Sequence, residues 1–389
     1  MTENWSIKMK VNIELQPALK DRTGVGWYVY EVVKHLPKGK IKITGTIFNF
    51  LKRRNDTEII KDLDINISSF YLLPYRVYLY LTKKFNIPYN YFFRPKADLY
   101  HFMGYIVPYS IKGKVILTVY DLVVELFPET MEEKNRELLR KEMQRSIKRA
   151  DHIITISNSA KAELINVLGV NAENIDIISP GVDYDVFNAR INDEMKSKTK
   201  QKYDLPDEYI LYLGTLEPRK NISSLIKAFI KLKKEKKISE KLVIAGKKGW
   251  NYENIYKIIY ENNFKDEIIF TGYVDESDKP AIYQLSKLFV FPSLYEGFGI
   301  PVLESMASGV PVIVSNTSSL PEVVGDAGIL VDPQKVEDIE AAIYKVLTNE
   351  KLRTELIEKG LEQSKKFTWE TSASKLYEIY DKVVKGEKL

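Results

Sequence analysis

The chain has 389 residues, 44% of them hydrophobic and 29% charged, with a formal net charge of +5 and no cysteine. That length suits two domains rather than one core, and so mild a positive charge is no nucleic-acid signature. Without cysteine, disulfides, thiol catalysis and cysteine metal sites are excluded, and the three histidines, His35, His101 and His152, lack ligand spacing.

In chain order, short β-rich runs alternate with helical patterns. Strands are predicted at 10–15, 41–50, 65–72, 97–102, 114–121, 151–157 and 174–180, with helices near 26–36, 75–85, 130–149 and 159–168. The rhythm resumes with strands at 208–215, 241–246, 267–274, 287–293, 310–316 and 328–332, helices between them, and two or three more helices from Val336 onward. Between the halves, 183–208 is polar and charged and reads as a partly helical linker. The expected fold class is α/β: two Rossmann-like doubly wound parallel sheets facing across a cleft, with ligand at the carboxyl ends of the strands. The expected divisions are 1–185, a linker 186–207, 208–369, and a terminal segment 370–389. No apolar run of about 18 residues occurs, so no spanning helix is expected. The first fifteen residues show no apolar leader segment, so a cytoplasmic location is the default.

Three loops carry candidate chemistry. In "SLYEGFGIPVLE" (293–304), Gly297 and Gly299 sit where a strand turns into a helix, and Pro301 suits the first helical turn. The amides of Phe298, Gly299 and Ile300 then point toward an anion. Glu296 and Glu304 can face one cleft, and each carboxylate can accept hydroxyl hydrogen bonds of a sugar or ribose. As helix-dipole partners, Glu304 is accounted for but Glu296, beside two glycines, is not. In "LGTLEPRKN" (213–221), a strand ends at Gly214 and the cations Arg219 and Lys220 precede a helix, fit to clamp a diphosphate and to stabilise it as it leaves. In "DRTGVGWYVYEV" (21–32), Gly24 and Gly26 open a helix, but Val29 stands where a dinucleotide fingerprint wants a third glycine. The D-x-D pairs at 62–64 and 183–185 read as turn and linker residues rather than metal ligands, so neither metal nor cofactor is expected. The aromatic stretch 70–95, with Lys and Arg interspersed, reads as a helix packed on the first sheet, with a role at a membrane surface left open beside it.

Together, "EGFGIPVLE", "GVPVIVSNTSSLPEVVGDAGILVDP", "LGTLEPRKN", "ISPGVD" and "TGVGWYVYEVVKHL" resemble family 4 of the retaining glycosyltransferases, with GT-B architecture, and look most like mannosyltransferases of polysaccharide and glycolipid assembly. The resemblance spans nearly the whole chain and is most specific in its second half. It implies a nucleotide-diphosphate sugar donor, GDP-mannose first and UDP- or ADP-sugars as alternatives, and a glycan or lipid-linked acceptor. Peripheral contact with the inner membrane face goes with such an acceptor. It implies that Arg219 and Lys220 contact the diphosphate, Glu304 the ribose and Glu296 the transferred sugar. Gly24, Gly26, Gly214, Gly297, Phe298, Gly299, Ile300 and Leu303 fall on the donor side. The final helix, near 370–386, would return to the first domain. One departure stands out: where relatives often read "HDL", this chain has Tyr120 in the histidine's place and keeps Asp121. His101 is the compensating candidate on the sugar or acceptor side. A sugar-nucleotide epimerase, a phosphorylase and a non-catalytic nucleotide-sugar-binding protein remain as other readings.

Overall fold

The computed structural model describes residues 9–19, 24–52, 60–93, 96–131, 133–235, 237–250 and 252–387. The chain divides into two compact units, one running to Pro180 and resuming at Trp369, the other Gly181–Thr368.

The first unit holds a seven-stranded parallel sheet. Its strands are β1 Met9–Glu14, β2 Ile41–Phe48, β3 Asn66–Phe70, β4 Leu99–Phe102, β5 Lys114–Thr118, β6 His152–Thr155 and β7 Ile175–Ile177, in the order β3-β2-β1-β4-β5-β6-β7. The order reverses between β1 and β4, the switch point at which open α/β sheets take ligands. The helix Gly24–His35 follows β1 and packs on the last helix, Trp369–Lys385. Ser372 Oγ donates to Ser179 O at 2.6 Å, and Tyr28 meets Trp369 edge to face.

The helix Tyr75–Phe85 turns Tyr78 inward, where its ring meets Phe48, Phe70 and Phe92 at 4.8–6.0 Å. The aromatic stretch is therefore core on one side, as its packing reading expects. Its β-branched and aromatic content does not make it a strand because Pro74 opens the helix and Asn86 closes it in the left-handed conformation.

The second unit holds a six-stranded parallel sheet in the order β10-β9-β8-β11-β12-β13. Its strands are β8 Tyr209–Leu213, β9 Lys241–Ala245, β10 Ile268–Gly272, β11 Leu288–Phe291, β12 Val312–Ser315 and β13 Gly328–Val331. Strands β8, β11 and β12 (YILYL, LFVF, VIVS) are buried residue by residue, as parallel strands covered on both faces must be.

The segment expected as a linker, 186–207, groups with the second unit, and two helices cover most of it, Tyr184–Asn188 and Asp193–Tyr203. The side chains that anchor it are irregularly spaced, which is why it shows no apolar period. Phe187 and Tyr203 are buried, Asn188 Nδ2 donates to Ala307 O at 3.1 Å, and the Tyr203 hydroxyl donates to Asp278 at 2.8 Å. Asp183 caps the first of these helices through Val186 N–H at 3.2 Å, so one D-x-D pair serves the backbone. In the other pair, Asp62 accepts the Tyr30 hydroxyl and Asp64 ends a 3-10 turn. Among the described residues no helix is long and apolar enough to cross a membrane.

Candidate active site

In the second unit the switch point lies between β8 and β11, and the two loops leaving these strands meet there. The loop after β8 turns through Pro218–Lys220, and Asn221 ends that turn with φ 54°. Asn221 Nδ2 ties it to the neighbouring loops by donating to Pro292 O at 3.1 Å and Pro333 O at 2.7 Å. Leu294 N–H donates to Arg219 O at 2.8 Å, which fixes the β11 loop against the β8 loop.

These ties bring Glu296 onto both cations. Lys220 Nζ lies 2.6 Å from one carboxylate oxygen and Arg219 Nη1 lies 3.2 Å from the other. Arg219 also donates to Tyr295 O at 2.6 Å and to Glu217 at 2.7 Å. Lys220 Nζ stands over the Phe291 ring, 5.1 Å from its centroid. The Glu296 backbone N–H donates to Ser318 Oγ at 3.0 Å, and the Ser319 hydroxyl sits within bonding distance of Glu296 O and Phe298 O. Burial pushes the Glu296 carboxyl up, but Lys220 and Arg219 outweigh it and hold it below its ordinary range. Burial lowers Lys220, and Glu296 only partly restores it. The two cations and the carboxylates of Glu217 and Glu296 balance in charge, so an arriving anion must compete with Glu296 for Lys220.

The second glutamate lies in the short helix Ile300–Ala307 and is buried. One of its oxygens is 3.2 Å from Lys279 Nζ, and the other accepts the Tyr283 hydroxyl at 2.9 Å. Lys279 also pairs with Glu276 at 2.8 Å. Burial lowers the Lys279 ammonium, but Glu304 and Glu276 together hold it above its usual value. A carboxylate offers about four lone-pair directions, so each oxygen of Glu304 keeps room for a hydroxyl.

The backbone between the two glutamates is tightly held. Gly299 has φ 120° at the helix start, and a Cβ there would stand 2.8 Å from Leu320 Cδ2. Phe298 is buried against Phe367, and Gly297 and Leu303 are buried beside it. Ile300 N–H is one of the first-turn donors with no acceptor inside its helix. We expect Gly299→Ala to lose about 1–3 kcal/mol of stability through its backbone conformation alone. Chemical denaturation reads this, and an unchanged midpoint would mean that the loop relaxes at no cost.

Gly214 directly follows β8, and its N–H donates to Ala245 O at 2.9 Å. Gly246, at φ 142°, approaches so near that a Cβ on it would stand 1.9 Å from Gly214 O. The two strand ends thus touch backbone to backbone.

The first unit holds the other candidates at the carboxyl ends of its own strands. His101, in β4, is fully enclosed: Nδ1 is 2.6 Å from the Tyr380 hydroxyl and Nε2 is 2.7 Å from Thr118 Oγ1. Burial lowers its pKa to about 3. Both ring nitrogens are engaged within the unit, and the ring is neutral. Tyr120 is buried too, donating to Met103 O at 2.9 Å and meeting Tyr28 and Tyr105 edge to face. Asp121 accepts from Val123 N–H at 3.2 Å. Gly24 and Gly26 lie in the first turn of the helix Gly24–His35, which starts two residues earlier than expected; residues 21–23 of that motif lie outside the described residues.

Sequence reasoning missed three groups. Lys279 and Tyr283 hold Glu304 from the helix Lys279–Gln284, which carries no motif of its own. Glu14 ends β1 with its carboxyl buried; its Oε2 has no protein partner, and burial pushes it up to about 7 against the lowering effect of the Gly104 and Met103 backbone N–H groups. A carboxylate inside the apolar run "KVNIEL" was the available signal.

Comparisons with known proteins agree on one family. The family description "Glycosyl transferases group 1" matches residues 193–363, and "Glycosyltransferase Family 4" matches 22–186. The O-antigen chain mannosyltransferase B of Escherichia coli is 30% identical over 286 residues, 73% of this chain and 74% of that protein. A serotype-specific mannosyltransferase WbdA of Escherichia coli is 35% identical over 240 residues, 61% of this chain but only 29% of that longer protein. Among solved structures, a sucrose-phosphate synthase from Thermosynechococcus elongatus superposes with a TM-score of 0.76 at 19% identity, covering 98% of this chain and 100% of that one.

Proposed function

The chain belongs to the family 4 glycosyltransferases of GT-B architecture, and on that premise we propose that it moves mannose from GDP-mannose to a hydroxyl of a glycan or lipid-linked acceptor, with retention of the anomeric configuration and without a metal ion. The observation that supports this reading best is the contact of the buried Glu296 carboxylate with both Lys220 and Arg219 at the switch point of the second sheet. The mannose assignment is supported by the mannosyltransferase names of the Escherichia coli relatives.

In this reading the donor diphosphate takes Lys220 and Arg219 as partners. Glu296 then turns its oxygens to hydroxyls of the transferred sugar, and Glu304 accepts the ribose hydroxyls. The donor-side backbone in the second unit is that of Gly214, Gly297, Phe298, Gly299, Ile300 and Leu303. The acceptor oxygen bonds to the anomeric carbon from the face that the diphosphate leaves. The anomeric carbon–oxygen bond breaks, and the departing phosphate oxygen takes the acceptor's proton. The protein's work is orientation and neutralisation of the growing negative charge.

A calorimetric screen of GDP-, UDP- and ADP-sugars tests the donor. GDP-mannose is expected to bind most tightly, with Glu304→Ala weakening it; preference for a UDP- or ADP-sugar would overturn the assignment. Conversion of the sugar nucleotide with no acceptor present would point instead to an epimerase.

A further inference from the structure

One segment of this chain carries cations and no carboxylate. Residues 65–97 contain Arg76, Lys83, Lys84, Arg94 and Lys96 and no Asp or Glu. Those five are taken from 58 Lys and Arg, which leaves 53 against 53 Asp and Glu. The rest of the chain sums to zero, though stretches within it such as 231–248, with eight Lys against two Glu, are also basic; what sets 65–97 apart is that no acidic residue interrupts it.

The same segment exposes apolar surface. Leu72, Tyr80, Phe85 and Tyr91 are each between 60% and 70% exposed, with Tyr71 and Val77 also exposed. The other exposed large apolar side chains outside this segment are scattered from Leu51 to Tyr344. The helix Tyr75–Phe85 explains the concentration because it has two dissimilar faces. Tyr78 and Thr82 face the core, while Arg76, Val77, Tyr80, Lys83, Lys84 and Phe85 face out. Lys84 Nζ stands 5.9 Å from the Tyr80 ring centroid and 5.5 Å from that of Phe85, its stem lying along apolar surface with the charge outermost.

An exposed face of mixed aromatics and cations, with no acidic residue, matches the border of an anionic bilayer. Tyr and Phe rings seat among the headgroups, and ammonium groups meet lipid phosphate. An acidic protein would satisfy the lysines but would leave the protruding side chains of Leu72, Tyr80 and Phe85 to find pockets of their own. We propose that the outer face of the helix Tyr75–Phe85, with Tyr71 and Leu72, docks on a membrane surface rich in anionic phospholipid. This deepens the proposed reading of a lipid-linked acceptor, and it rests on that reading for its purpose but not for its measurement.

The experiment is co-sedimentation of the full chain with vesicles of phosphatidylcholine alone and of phosphatidylcholine mixed with phosphatidylglycerol. Wild type is expected to pellet with the mixed vesicles only and to be released by high salt. Lys83→Glu/Lys84→Glu is expected to weaken binding by about tenfold or more, and Tyr80→Ser/Phe85→Ser to weaken it even at low salt, where the cations still act. All four positions are exposed, so both variants should keep the circular dichroism of wild type and its transfer to a soluble acceptor. Protein that stays in the supernatant with both vesicle types overturns the proposal, as does equal binding to both or a variant that pellets like wild type. A wild-type dimer that Tyr80→Ser/Phe85→Ser abolishes, without vesicle binding, would assign the face to a second copy instead. Because binding is read without turnover, an inactive protein that still pellets would overturn the transferase reading and leave this one standing.

Discussion

Replacing Lys220 with alanine should cut kcat roughly 30- to 1,000-fold, a rise of about 2–4 kcal/mol in the barrier. The charge that Lys220 meets grows as the sugar–phosphate bond breaks, so the loss should fall on kcat and kcat/KM together, with KM changing little. The fold should survive the change. Glu296 keeps Arg219 at 3.2 Å, and Arg219 keeps Tyr295 O and Glu217. Steady-state kinetics with the preferred donor decides the matter, and near-normal kcat in Lys220→Ala would sink the assignment. Losing Glu296 is a different experiment, because it would leave two partly buried cations side by side with only Glu217, on Arg219, to offset them.

The second large effect concerns stability. Unfolded, Glu14 loses its proton near 4.5; folded, burial keeps the proton on until about 7. Between those values the folded state binds more protons than the unfolded one. Stability therefore falls as pH rises through that window and stays low above it. The shift is worth about 3 kcal/mol. Glutamine has nearly the same shape and cannot ionise, so Glu14→Gln should match wild type near the acid end of the window and exceed it by up to about 3 kcal/mol above it. Denaturation of both proteins across the window checks this; parallel curves would mean that Glu14 ionises freely in the folded protein.

The alternation of strands and helices was readable because strands buried on both faces leave nearly unbroken apolar runs, as in "LFVF" and "YILYL". Arg219, Lys220, Glu296 and the glycines around them were readable because turns and helix starts demand particular residues at fixed offsets. What escaped notice depends on distance along the chain. Glu304 and Lys279 are 25 residues apart and meet only because two helices pack side by side. The segment 186–207 read as a linker since the side chains it buries, Phe187, Ile191, Thr199, Tyr203 and Leu205, are too irregularly spaced to leave a period. His101 drew attention as a histidine near a strand end, yet its partner Tyr380 lies 279 residues away, and no local pattern could show that both its nitrogens are taken.

That last contact bears on how the molecule comes to be made. The first unit is discontinuous: it stops at Pro180 and is finished by the segment that begins at Trp369. During synthesis the early strands emerge first but lack the helix that supplies Tyr380 to His101 and Trp369 to Tyr28. The second unit is one unbroken stretch and can close as soon as it leaves the ribosome. Domains usually mature in the order of translation; here the half that is translated first is the half completed last, and a chain released short of its final helix would carry a finished second unit beside an open first one.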